Sequence, residues 1–210
     1  DDDYLWMKDY LQLDGMVYKL IPVRNAVADA PSPLDMGQID SDKMYDIVMK
    51  WDCAKSESNT IYHDTGTRKN SITYRTNLAR LMEQLINQGE KQKAKKVIDL
   101  AIEKMPLEKF GYYTMLEPFA AGYYEIGEKN KARKILTQLI GKYQENLKYY
   151  NLLKSEEQNS LYIEIITDIE RYRDLLTVMK ERGDKAFYES NKATFNTYNK
   201  MFSRFKRDKE

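Results

Sequence analysis

His63 and Asp64 are adjacent, and Arg68 and Arg75 follow them in the chain. An imidazole beside a carboxylate is the pairing a general base needs, and guanidinium groups bind anions. Cys53 is the only cysteine and His63 the only histidine. Hydrolytic chemistry needs a nucleophile next to an oriented base, and no Gly-x-Ser-x-Gly elbow occurs. A structural zinc site takes about four ligands and a disulfide two thiols, so one Cys and one His build neither. These residues therefore read as structural or exposed, with no catalytic site, cofactor or metal expected. The alternative is a small enzyme whose site is assembled from His63, Asp64 and the two arginines.

The elements that must position them are mostly helical. Met16, Tyr18 and Leu20 alternate with Val17, Lys19 and Ile21, and Pro22 closes the run, which predicts a short edge strand. Residues 25–40 lack a hydrophobic period and read as loop. Ser41 is expected to cap a helix from Asp42 to Trp51, and 52–70 return to loop. From Ser71 the chain reads as successive helices: Ser71 to Gln88, Lys91 to Lys104, one ending at Ile126, and Lys129 to Tyr143. Residues 155–182 contain neither Gly nor Pro and predict one long amphipathic helix. A last helix, from Gly183-Asp184 to Lys206, carries Phe187, Phe195, Tyr198, Phe202 and Phe205. The two should fold back on each other.

The central helices repeat. Gly89 and Gly127 stand 38 positions apart, as do Ala94 and Ala132. In that register Leu78 meets Leu116, Leu81 meets Phe119, Leu85 meets Tyr123, Ile98 meets Leu136 and Ala101 meets Leu139. The spacing exceeds the usual tetratricopeptide period of about 34, and the link Pro106 to Gly111 accounts for the excess. The run Leu78, Leu81, Met82, Leu85, Gly89, Ala94, Ile98, Ala101, Pro106 resembles a tetratricopeptide repeat; in the second copy Gln144 stands where the proline would be. The expected fold is mainly α: about two tetratricopeptide-like hairpins at 71–145, a C-terminal capping helix pair at 146–210, and a mixed strand, loop and helix segment at 1–70.

In such arrays the first helix of each pair lines the concave face. The candidate groove is Thr76, Glu83 and Asn87 with Glu117, Tyr124 and Glu125, flanked by Ala79, Ile86, Thr114 and Ala121. That lining is acidic with one aromatic. Charge is otherwise balanced, 34 Lys plus Arg against 33 Asp plus Glu, and a nucleic-acid groove would be basic. The local exception is Arg204, Lys206, Arg207 and Lys209, which read as a solvated helix end. The partner expected is a protein or glycoprotein, and no nucleic acid.

The segments Tyr10-Leu11-Gln12-Leu13-Asp14-Gly15-Met16-Val17-Tyr18-Lys19-Leu20-Ile21-Pro22, Met44-Tyr45-Asp46, Lys50-Trp51, Ile61-Tyr62-His63-Asp64 and Tyr74-Arg75-Thr76-Asn77-Leu78-Ala79-Arg80-Leu81 carry a second resemblance. Over residues 4–145 the series is similar to the C-terminal soluble region of a family of bacterial multi-spanning membrane proteins related to protein O-mannosyltransferases. That resemblance implies an extracytoplasmic, non-catalytic tail, with any transferase chemistry in a membrane part outside this chain. The function expected is interaction or scaffolding with acceptor proteins or partner subunits. The bland alternative is a structural appendage. No stretch of this sequence approaches the roughly 18 consecutive apolar residues of a membrane span.

Overall fold

Three glycines carry the chain through the same turn. Gly89, Gly127 and Gly183 have φ of 80°, 86° and 69°. Each follows a right-handed residue (Gln88, Ile126, Arg182) and precedes one near φ −80°, ψ 55° (Glu90, Glu128, Asp184). Only glycine takes the left-handed region without a steric cost, and the following amide closes a Schellman-type bond at two of the turns. Glu90 N–H donates to Leu85 O and Asp184 N–H to Met179 O, both at 2.8 Å.

The structure, a computed structural model, describes residues 5–24 and 36–205. Most of the loop expected at 25–40, and Lys206, Arg207 and Lys209, lie outside the described residues. The described chain is mainly helical with one small antiparallel sheet, and it divides into two compact units, 1–127 and 128–210. No described helix is long and apolar enough to cross a membrane.

In the first unit a 3-10 turn (Leu5–Tyr10) leads into a hairpin of β1 (Leu11–Asp14) and β2 (Val17–Leu20), in the register Leu13↔Tyr18 and Asp14↔Val17. The single strand expected at 16–22 is thus the second of two. Asp14-Gly15 is a turn dipeptide, and Gly15 at φ 73° opens the two-residue loop. Gln38 pairs with the other side of β1, exchanging bonds with Leu11 and Leu13. A Cβ on Gly15 would lie 3.1 Å from the Trp51 ring, and Asn77 Nδ2 donates to Gly15 O at 2.9 Å. The hairpin tip is therefore fastened to the helices.

Helix α1 (Ser41–Val48) is capped by Asp40, which accepts from Lys43 N–H, rather than by Ser41. Ser41 Oγ instead donates to Gln88 at 2.6 Å. Trp51 lies beyond the helix. Helix α2 (Thr65–Asn87) and α3 (Lys91–Lys104) form an extensively packed hairpin, and α4 (Leu107–Phe110) and α5 (Glu117–Glu125) pack on α2. Gly122 on α5 crosses so close that a Cβ there would press on Met82 of α2 and meet Ile98 of α3. Ala94 and Ala132 are both fully buried, as the repeat register requires. Ala94→Leu should lower stability by roughly 1–3 kcal/mol through overpacking, and an unchanged urea midpoint would contradict the register.

The second unit contains α6 (Lys129–Leu152), α7 (Ser155–Ser160), α8 (Tyr162–Glu181) and α9 (Lys185–Met201). Helix α6 runs well past Tyr143 because Tyr143 and Leu147 continue its buried stripe and no breaker intervenes. The helix expected over 155–182 is interrupted at Leu161, φ −102°, ψ 22°. The interruption is slight, since Leu161 still accepts from Ile165 N–H and donates to Glu157 O. The last helix ends at Met201, followed by a 3-10 turn Ser203–Phe205. Helices α8 and α9 fold back on each other, and α6 packs on both. Tyr172 meets Phe195 edge to face at 5.2 Å, and its hydroxyl accepts from Gln144. Phe187, expected inside, is half-buried beneath the Arg133 guanidinium.

One buried carboxylate in this unit opposes folding at neutral pH. Asp168 is 8% exposed, takes hydrogen bonds from Asn146 and Tyr150, and burial raises its pKa. A carboxyl that binds its proton more tightly when folded stabilises the fold at low pH, and that contribution is lost as pH rises through the folded pKa. Asp168→Asn should therefore melt higher than the parent near pH 7 and equal to it near pH 3. A lower melting point near pH 7 would show that the ionised group is held favourably.

Candidate functional site

Of the residues whose types suggested catalysis, Asp64, His63 and Arg75 are occupied in holding the fold. Asp64 is the N-cap of α2: its carboxylate accepts from Thr67 N–H at 3.0 Å and from the Thr67 hydroxyl at 2.7 Å. Those bonds hold its pKa below the ordinary aspartate value. A capped carboxylate kept ionised in this way is a weak base. His63 lies against the Phe110 ring, centroids 4.4 Å apart, with Nε2 bonded to Ser56 O at 2.8 Å.

Arg75 is fully buried. Its Nη1 donates to Gly111 O and Tyr112 O, and its Nη2 to Met105 O at 2.7 Å. It thus gathers the carbonyls at the end of α3 and just after α4, where Tyr112 has φ 49°. Burial lowers its pKa to about 10, which leaves it protonated near neutrality. Arg68 is half-buried, and its Nε has no hydrogen-bond partner among the described residues. Cys53 is half-buried and free; burial pushes its thiol pKa up, and Lys104 only partly offsets this. A thiol so placed is a poor nucleophile.

His63, Cys53 and the N-terminal half of α2 do meet, at a cleft of ≈ 500 Å³ in the first unit. Trp51 and Tyr74 stand at its wall edge to face, 5.4 Å apart. Met16, Cys53, Leu78, Leu100, Met105 and Phe110 supply apolar and sulfur surface. Of the polar residues around it, Ser56 donates to Lys104 O, Ser71 to Arg68 O, and Asp52 accepts from Ala54 N–H. Asn70, Tyr74, the Trp51 indole and the Cys53 thiol make no side-chain hydrogen bond among the described residues. The sequence does not announce this cleft, because Met16, Trp51, Tyr74 and Leu100 come from separate segments.

The groove expected from the repeats is distributed over α2 and α5, which pack on each other. Glu83, Asn87 and Glu125 are exposed, and Thr76, Glu117 and Tyr124 are half-buried. Ile86, Thr114 and Ala121 are half-buried, while Ala79, expected on the open face, is buried. Helix α2 is contacted by α1, α3, α4 and α5, and Ala79 lies on a covered side of it while Glu83 and Asn87 stay exposed.

These features define a helical-hairpin fold with an N-terminal β-hairpin docked on it. The family described as TMEM260-associated domain 2 matches residues 1–43. The match agrees with the transferase-related resemblance over that segment, and it ends inside α1. No curated protein and no solved structure matches the chain.

Proposed function

We propose that this chain is a non-catalytic interaction domain, the extracytoplasmic tail of a glycosyltransferase-like membrane protein, and that it holds acceptor proteins or partner subunits. The observation that carries this reading is the commitment of Asp64, His63 and Arg75 to caps and carbonyls of the fold. The surface of α2 and α5 carries the exposed carboxylates Glu83 and Glu125 and the half-buried Tyr124. The family match to residues 1–43 supports the parentage, and the tetratricopeptide-like hairpin supports binding of a polypeptide.

The test is site-specific photo-crosslinking in the intact membrane protein. A photoreactive residue replacing Glu83 or Tyr124 should yield a cross-link to a secreted or membrane protein, and one replacing Thr177 in the second unit should not. Equal yields from all three positions would overturn the reading. So would a gene with no membrane-spanning segments.

A further inference from the structure

We infer that the open edge of β2 pairs with an extended segment of a partner polypeptide, one that sets an acidic residue flanked by apolar ones opposite Lys19. The surface lies on the hairpin, apart from α2 and α5, so the inference goes beyond the interaction reading. The first observation is where the backbone of the sheet points. Gln38 N–H donates to Leu11 O at 2.9 Å and Leu13 N–H to Gln38 O at 2.8 Å, so Leu11 and Leu13 turn their backbone groups away from β2. Residues directly opposite each other in an antiparallel pair point either toward one another or both away. The residues opposite Leu11 and Leu13 are Leu20 and Tyr18. Their N–H and C=O groups therefore face outward, and they meet no partner among the described residues. The bond from Ile21 N–H to Tyr10 O fits this alternation, with Ile21, Lys19 and Val17 turned toward β1.

The second observation is what that edge can hold. All four residues of β2 are exposed, Val17 by 63% and Leu20 by 55%. An extended chain laid alongside supplies acceptors and donors at the spacing of the four outward groups. A helix spends its backbone groups internally, and a hexose has no alternating row of amide donors and carbonyl acceptors.

Charge is the third, and it separates one strand from another. Lys19 is the only charged residue of β2. It makes no ion pair among the described residues, and Asp14, which feels its charge, is held by Lys43 at 2.7 Å. In two-fold pairing with a second copy, using all four outward groups would set Tyr18 against Leu20 and hence Lys19 against Lys19. Like charges directly opposite are destabilising, and an edge lysine guards a strand against its own copies in this way. A carboxylate at the same place reverses the sign. The residues on either side of that carboxylate share the face of Tyr18 and Leu20, where apolar side chains cover exposed Leu20.

The test titrates the chain, at low salt, with the peptide acetyl-Thr-Val-Glu-Val-Thr-amide while backbone amide NMR signals are followed. The Tyr18 and Leu20 amides should exchange quickly in the free chain. On titration they should shift and become protected, with a dissociation constant on the order of 1 mM. The peptide with lysine in place of glutamate should bind at least about five-fold more weakly, and Lys19→Glu, at an exposed position, should reverse that order. N-methylation of both valines should abolish binding, because it removes the amides that face Tyr18 and Leu20. Absence of shifts at these two amides, binding that survives N-methylation, or an order unchanged by Lys19→Glu would overturn the inference. So would protection of the two amides without peptide, whether fixed or rising with chain concentration, since the edge would then already be covered by this chain or a second copy. None of these results bears on the crosslinking test of α2 and α5.

Discussion

Arg75→Met is expected to remove about 3–5 kcal/mol of folding stability, a large fraction of the 5–15 kcal/mol that holds a typical domain. Methionine keeps the apolar stem but leaves the carbonyls of Met105, Gly111 and Tyr112 without the donors they now have. The bond to Met105 O is buried, and a buried carbonyl left unpaired costs about 1–3 kcal/mol; the bonds to Gly111 O and Tyr112 O are part-buried and add less. The relief of a desolvated cation offsets part of that sum, since no carboxylate lies within ion-pairing distance of Arg75 among the described residues. Arg75→Lys should recover little, because an ammonium cannot span three carbonyls that a planar fork reaches together. Chemical denaturation measures the loss directly. A variant within about 1 kcal/mol of the parent would show that Arg75 is a tolerated buried charge rather than the tie between α3, α4 and α2.

In the second unit the matching expectation falls on Asp184. Its carboxylate is fully buried in the turn between α8 and α9, with Arg133 bonded to both oxygens at 2.6 and 2.8 Å and Lys129 at 3.1 Å. Aspartate at this position reads from sequence as a helix N-cap, yet its side chain caps nothing and reaches α6 instead. Breaking a buried pair typically costs 3–5 kcal/mol. Here the Arg133 and Lys129 side chains are 35% and 49% exposed and regain water, so Asp184→Ala should cost about 2–3 kcal/mol. Arg133→Ala should cost nearly as much, and the double variant little more than either alone. Additive losses would mean that the two residues act separately.

Much of the helical layout is legible in the residues. Glycine after an apolar stripe marks all three turns, and the small residues at 94 and 132 mark positions with no room for volume. The bounds of α3, Lys91 to Lys104, follow from its stripe and Pro106. Residues 52–70 read as loop because they carry no hydrophobic period, whereas α2 starts at Thr65. The local signal was Asp64 followed by Thr67, a cap and the residue that donates to it.

Leu161 interrupts its helix without glycine, proline or a cap, so nothing local announces the break. Arg75 is harder still. A charged residue in a helix reads as exposed, and the carbonyls that bury it lie 30 to 37 positions further along the chain. The cleft is illegible for the same reason, since Met16, Trp51, Tyr74 and Leu100 converge only after the hairpin and three helices have packed. The family match likewise ends within α1, whereas Asn77 of α2 bonds the hairpin tip at Gly15. The matched segment is therefore one part of a larger folded unit.

Under the parentage proposed above, the most direct measurement of the interaction reading is sugar transfer by the full-length protein, with and without residues 65–205, to a folded protein acceptor and to a short peptide. Tethering an acceptor raises its effective concentration at the reacting site, so the reading predicts a loss of roughly ten-fold or more on the folded acceptor and little change on the peptide. Equal losses on both substrates, or no loss on either, from the same amount of membrane protein would contradict it.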